Sequence, residues 1–256
     1  MTEAATGDHT ENRLLGGRVV LRQPARRGLR AGLDAVLLAA GVPARPGERV
    51  LEAGCGSGAG FLCLAARVPG LRILAVERDP ALAALAAANA AANGLGDRVE
   101  VLCADVRDLT LARGLPACDH AFANPPYWPG GTAPPEASRR RATHEEAGGG
   151  GAGLGDWAAF LAAPLRRRGS LSLILPAARL QAGMAALGSA GCGSVRLLPF
   201  WPREGQAARR VLLQGRREGR GPARVEPGMV LHSEEGGGFT VAAESVLRDA
   251  APLPGG

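Results

Sequence analysis

No stretch of the 256-residue chain approaches the ~20 consecutive apolar residues needed to cross a bilayer, which excludes a membrane-spanning helix. The first residues, MTEAATGDHTENR, lack the basic start and apolar stretch of a secretory signal, so the protein is expected to stay in the cytoplasm where it is made. Cysteine is sparse. Cys55, Cys63, Cys103, Cys118 and Cys192 are odd in number, widely spread and free of CxxC or Cys/His zinc spacing. The histidines at 9, 120, 144 and 232 form no metal constellation either, so a reduced chain without a metal is expected, with His120 buried inside a strand. Glycine and proline, at 38 and 19 residues, stay below the roughly 25–30% at which low complexity becomes the default. Lysine is absent. All 30 basic residues are arginine, the planar bidentate reader of phosphate, and the formal net charge of +6 is compatible with a polyanionic partner such as nucleic acid.

What is present is a regular alternation. No internal repeat or linker divides the chain, so a single domain over residues 1–256 is expected, with residues 1–13 polar, aperiodic and frayed. Residues 14–45 read as an N-terminal extension: a short β-rich piece, Gly17 to Leu21, an arginine loop, and an apolar helix around Asp34 to Ala40. From Arg49, the apolar runs RVLEAG, LRILAVE, VEVLCA, CDHAFA and SLSLILP alternate with helical stretches at Ala59 to Val68, Pro80 to about Asn93, and DWAAFLAAPLRR. Asp79 is a credible N-cap, Pro80 suits the first helical turn, and Gly94 marks the stop. Near-continuous apolar strands between helices indicate a doubly wound, mostly parallel α/β sheet covered on both faces. Val195 to Pro199 and Arg210 to Gly215, with no helix-length insert between them, are expected to pair antiparallel at one end of it.

Glu52-Ala53-Gly54-Cys55-Gly56-Ser57-Gly58 falls where the first strand of this series ends and a helix begins, so Gly54, Gly56 and Gly58 permit a tight turn and a ligand laid against backbone N–H groups. A strand–helix turn without a ligand would look the same, and Gly54, Gly56 and Ala59 also satisfy the dinucleotide pattern. Two neighbours narrow the choice. Glu77 ends the second run, where an acid can accept both hydroxyl protons of a ribose, and Asp105 follows the third, placed to receive the exocyclic amine of an adenine. With Glu52 they are expected to line one crevice, a pattern that suits S-adenosylmethionine better than a diphosphate-bridged dinucleotide.

The fourth run ends in Asn124-Pro125-Pro126-Tyr127. An amino nitrogen on an aromatic ring is a poor nucleophile because its lone pair is delocalised. Two acceptors holding its hydrogens, the Asn124 side-chain carbonyl and the Pro125 main-chain carbonyl, would draw it towards tetrahedral geometry. Pro125 and Pro126 fix φ and remove competing N–H donors. Tyr127, the only tyrosine, offers a face on which a flipped base could stack.

EAGCGSG, AVERD, CADV and ANPPYW, in that order, resemble the class I S-adenosylmethionine-dependent methyltransferases whose NPPY motif modifies planar nitrogen. GGRVVLRQP, GLRAGLDAVLLAA, LPFWPREGQAARRVLLQGRREG and MVLHSEEGGGFTVAAESVLRD extend the resemblance from about Leu14 to the end, towards the bacterial tRNA(Val) adenine-37 N6-methyltransferase family. That resemblance implies N6-methylation of an adenine beside the anticodon. Asn124 to Tyr127 would hold the base, and Glu52, Gly54, Gly56, Gly58, Glu77 and Asp105 would hold the donor. The region around Asp34 would close over the donor's methionine end, although an acidic residue in a helix's first turn needs no ligand to explain it. The run Gly148 to Gly151, after His144-Glu145-Glu146, is longer and looser than the family pattern, so the 130–155 loop is assigned no contact.

A tRNA partner suits the arginines at 26, 27 and 30, at 139 to 141, and at 203, 209 and 210, provided these gather on one rim. Trp128 and Trp201 could stack on RNA or pack in the core. Oligomeric state is not readable. Other readings stay open: an rRNA guanine-N2 or protein-glutamine N-methyltransferase with the same motif, a nicotinamide-dependent oxidoreductase, or an RNA-binding module without catalysis.

Overall fold

Apolar runs buried on both sides become the middle of a sheet here, and the polar ends of those runs become its working edge. The computed structural model describes residues 5–6, 9–25, 32–126, 152–233 and 237–253. Strands β1 (Ala5–Thr6), β2 (His9–Leu14) and β3 (Val19–Pro24) form a small antiparallel sheet, followed by helix α1 (Leu33–Gly41). Then come β4 (Arg49–Ala53), α2 (Ala59–Arg67), β5 (Arg72–Glu77), α3 (Pro80–Ala92), β6 (Val99–Cys103), α4 (Leu109–Gly114) and β7 (Cys118–Ala123). The next described stretch holds α5 (Leu154–Ala162), β8 (Leu165–Pro176), α6 (Leu180–Ser189), β9 (Cys192–Trp201) and β10 (Arg210–Arg217). Two short strands, β11 (Arg224–Val225) and β12 (Met229–Val230), and α7 (Val241–Asp249) finish the chain.

The large sheet runs β11-β9-β10-β8-β7-β4-β5-β6, with β12 also on β9. β8, β7, β4, β5 and β6 are mutually parallel, and β10 lies antiparallel between β8 and β9. Successive residues face opposite layers. Val50, Ile73, Phe122 and Ile174 pack under α1, α2, α3 and α7, whereas Leu51, Leu74, Ala121 and Leu173 pack under α4, α5 and α6. The expected mostly parallel α/β sheet with a C-terminal antiparallel pair is therefore the observed one.

Three local expectations change. Residues 9–14 do not fray: they form β2, whose Thr10 is buried. The helix after Gly153 stops at Ala162 rather than running through the arginines, because Pro164 lacks the N–H that the next turn requires, and Arg166 to Arg168 open β8 instead. Helices α6 and α7 stand where no helix was expected, α7 capped by the Thr240 hydroxyl accepting from Ala243 N–H.

The small sheet is fixed to the large one by side chains. On α3, Asn89 accepts from Arg22 N–H (3.1 Å) and donates to Arg22 C=O (2.9 Å), while Asn93 accepts from Val20 N–H (3.0 Å) and donates to Val20 C=O (2.7 Å). Four helical residues rise about 6 Å and two strand residues about 6.6 Å, so asparagines at i and i+4 meet strand residues at j and j+2. Asn89 Nδ2 also donates to Ser57 C=O at 2.8 Å, which ties this clasp to the glycine turn.

Candidate donor crevice and acceptor segment

The chain leaves β4 towards β5 and returns for β7 on the other side of β4, so the strand order reverses between β4 and β7. At such a switch point the connecting segments diverge and leave a crevice beyond the strand ends. Ala53 is paired with Ala123, so Gly54 and Asn124 emerge side by side from adjacent strands about 4.8 Å apart. Glu77 ends the next strand, opposite Cys103, and Asp105 follows β6. One edge thus carries Asn124, Gly54, Glu77 and Asp105 in lateral order.

The glycine turn is built on the sheet. Gly54 and Cys55 N–H both donate to Val76 C=O, at 2.7 and 3.1 Å. Gly54 has φ +65°, and a Cβ on it would lie 2.4 Å from Cη2 of Trp157. The buried Trp157 indole thus covers this corner, and its N–H has no hydrogen-bond partner among the described residues. Gly56, also left-handed at φ +55°, faces open space. Gly58 is the left-handed N-cap of α2 and lies against the Phe61 ring. Of the three glycines, Gly56 lies on the open side and the other two make room for aromatic rings.

The acids divide similarly. Glu77 is half-buried; Oε2 accepts from Gly56 N–H at 2.9 Å and Oε1 from Asp79 N–H at 2.9 Å. Each oxygen keeps a second acceptor site, enough for two vicinal hydroxyls. Asp105 accepts from Arg107 N–H, Nε and Nη2 at 2.9, 3.0 and 2.7 Å, and these bonds hold its carboxyl at a pKa of about 2. Glu52 was expected to line the crevice with these two. It is only 4% exposed instead, because positions 50 and 52 face the α1/α2 layer: Oε2 accepts from Phe61 N–H at 2.8 Å, in the first turn of α2. Burial, with a smaller contribution from Glu77, pushes its pKa up to about 8. Cys55 beside it is likewise buried, its thiol pushed well above the ordinary range by burial and by the two glutamates.

Asp34 stands in the first turn of α1, and Arg210 Nε at the start of β10 donates to its Oδ2 at 2.9 Å. Arg210 opposes Pro176, so this ion pair lies at the same edge of the sheet as Asn124, two strands away. Asn124 is half-buried, Pro125 buried and Pro126 exposed. Tyr127 lies outside the described residues, as do Trp128, His144, the 148–151 glycines and the arginines at 26, 27, 30 and 139–141. Of the remaining trio, Arg203 donates to Ser233 C=O, Arg210 holds Asp34, and Arg209 is exposed. Trp201 donates its indole N–H to Pro227 C=O. His120 is buried between Ser170 Oγ (2.6 Å) and Glu48 Oε2 (2.9 Å), at the far end of β7 from Asn124, and burial lowers its pKa.

This set fits a cationic nucleoside better than a dinucleotide. The helix start that would receive a diphosphate holds the Glu52 carboxyl, with Oε1 2.2 Å from where a Cβ on Gly60 would stand. The open position above Gly56 lies beside a carboxylate with two acceptor sites to spare. Asn89 and Trp157 had not stood out in the sequence: an asparagine in an alanine-rich helix and a tryptophan after a glycine run look like surface and core. The i,i+4 recurrence of Asn89 and Asn93 on a helix rich in alanine was the available signal.

Residues 50–126 match the family model described as a methyltransferase domain. The structure resembles a solved predicted O-methyltransferase from Agrobacterium tumefaciens, with a TM-score of 0.69 and 25% identity, over 86% of this chain and 97% of that one. The fold is that of a Rossmann-like methyltransferase. The chain is 33% identical over 213 residues, 82% of its length and 86% of the relative's, to the tRNA1(Val) (adenine(37)-N6)-methyltransferase of Aeromonas hydrophila. It is 32% identical over 186 residues, 73% of its length and 77% of the relative's, to the protein of that name from Shewanella amazonensis. The chain belongs to this tRNA1(Val) (adenine(37)-N6)-methyltransferase family.

Proposed function

We propose that this protein is a cytoplasmic enzyme that transfers a methyl group from S-adenosylmethionine to the N6 amino group of an adenine in tRNA, of the tRNA(Val) adenine-37 type. The observation that carries the reading is the pairing of Ala53 with Ala123, which sends the glycine turn and the Asn124-Pro125-Pro126 segment out of the sheet as neighbours. Bound S-adenosylmethionine would supply an electrophilic sulfonium methyl.

The chain's own groups do the rest. Glu77 accepts from the ribose hydroxyls, Asp105 takes the adenine amine of the donor on the acceptor site that Arg107 leaves, and Gly56 lets the nucleoside lie close to the backbone. Asn124 and Pro125 present carbonyl oxygens to the two hydrogens of the target amine, concentrating its lone pair on nitrogen. Tyr127 completes the motif with a stacking face. Neither an amide nor a proline can take a proton from a hydroxyl, so the segment suits an amine, which needs no base before it reacts. Positioning supplies most of the acceleration. The chain acts as one catalytic domain, with residues 14–45 closing over the donor and α1 held in place by Asp34 and Arg210.

The test is incubation with labelled S-adenosylmethionine and an unmodified tRNA1(Val) transcript, followed by digestion to nucleosides. N6-methyladenosine is expected. Asn124→Ala should lower its yield at least about 100-fold while RNA affinity stays within twofold, because the transfer step loses an acceptor that RNA binding does not need. Label in N2-methylguanosine, or in protein alone, overturns the reading.

A further inference from the structure

A wide groove lies at the opposite end of the sheet from Asn124. It has a volume of about 1140 Å³ and is formed where β8 and β9 begin and β10 ends. Ser170 of β8 pairs with Arg216 of β10, whereas Leu173 pairs with Ala123, which precedes Asn124. Six strand residues and two strand spacings put the groove on the order of 20 Å from the acceptor segment. Arg167, Arg168, Arg216 and Arg220 line it, against a single acid, Glu218.

Arg168, Arg216 and Arg220 are exposed and make no ion pair among the described residues, while Arg167 reaches Glu218 at 3.5 Å with both side chains in solvent, a pair that neutralises little. The walls between them are Gly188, Gly191, Gly193, Gly219 and Gly221, which expose backbone rather than apolar side chains. Among the described residues no aromatic side chain lines the groove, so they offer no platform for a base. Arg168, Ser194 and Glu218 around its rim are left-handed, with φ +65°, +49° and +56°. Such a backbone costs of order 1 kcal/mol per residue, and the fold keeps three of them at this one place.

We propose that this groove binds the phosphodiester backbone of the RNA substrate at a second site, remote from the target base. The inference rests on the tRNA reading above and adds where the body of the RNA is held. Guanidinium groups on glycine-rich walls match a chain of phosphates that passes by without being read for sequence. An RNA occupying both places spans about 20 Å, or roughly six stacked nucleotides at ~3.4 Å each, so it must extend at least about that far to one side of the target base.

The test compares the wild-type chain with Arg168→Gln/Arg216→Gln/Arg220→Gln and with the triple Arg→Lys variant. Binding of a tRNA transcript is measured as a function of salt, and donor affinity is measured in parallel. The Gln variant should bind the transcript at least about tenfold more weakly at 0.1 M salt, with a log–log salt slope shallower by about 2–3, while donor affinity is unchanged. The Lys variant should restore the slope. Equal slopes for wild type and Gln variant refute the groove while leaving the tRNA reading intact. Wild-type protein that neither binds nor methylates the transcript refutes the tRNA reading itself. If millimolar inorganic phosphate binds wild type and not the Gln variant while the RNA slopes agree, the groove is a small-anion site and the inference is overturned.

Discussion

Glu52 allows a quantitative test of how the glycine turn is held. Its carboxyl is buried against the first turn of α2, and its pKa is raised from 4.5 to about 8, chiefly by burial. The folded protein therefore keeps a proton that the unfolded chain releases above pH 4.5. Because the folded value is the higher one, the associated stability is fully present below pH 4.5 and declines as pH rises through about 8. Each pH unit inside that window costs up to about 1.4 kcal/mol, so the whole interval is worth on the order of 5 kcal/mol, a large part of a typical domain's total stability. Glu52→Gln keeps a side-chain carbonyl for Phe61 N–H and never ionises. Urea midpoints measured from pH 5 to 9 should show wild type losing ground to the variant steadily up to pH 8. His120 does not feel Glu52 and cancels in the difference, and Cys55 and Cys63, which Glu52 helps to raise, are held protonated across this range chiefly by burial. Parallel profiles would refute the claim that Glu52 is protonated within the fold.

The glycine turn offers a paired substitution. Gly54→Ala should destabilise the protein by roughly 3 kcal/mol, from a left-handed backbone and a 2.4 Å approach to Trp157, lowering the melting temperature clearly. Gly56→Ala meets no neighbour and should cost only about 1 kcal/mol, yet weaken donor binding at least about tenfold by calorimetry because the added methyl enters the crevice. Asn89→Ala removes bonds to Arg22 N–H, Arg22 C=O and Ser57 C=O, and should cost about 3 kcal/mol in denaturant unfolding together with a looser donor site. A loss no larger than that of an exposed Asn→Ala would contradict the clasp.

Much of this was legible in the sequence, for a physical reason. Strands β4, β5, β7 and β8 are covered on both faces, so they read as apolar runs, and Asp79-Pro80 announces α3 through capping chemistry. β2 escaped notice because HTENRL carries its pairing in the backbone and buries only Thr10. Helix α6, LQAGMAALGS, is too uniformly small and apolar to show a polar face. At the site, strand ends can be counted along a sequence, so Gly54, Glu77, Asp105 and Asn124 were placed at the correct edge. Which layer a side chain faces depends on register, and Glu52 differs for that reason. The far groove was invisible because Arg168, Ser194 and Arg216 come from three strands that only folding brings together.

The asparagine clasp also bears on how copies of this protein behave beside one another. Val20 and Arg22 would otherwise present free N–H and C=O groups along the outer side of β3, an invitation to strand addition by a neighbour. With both pairs already engaged by amides from α3, and Pro24 lacking a donor, that side of β3 offers a neighbouring copy no free backbone groups at Val20 or Arg22 to which a strand could be added.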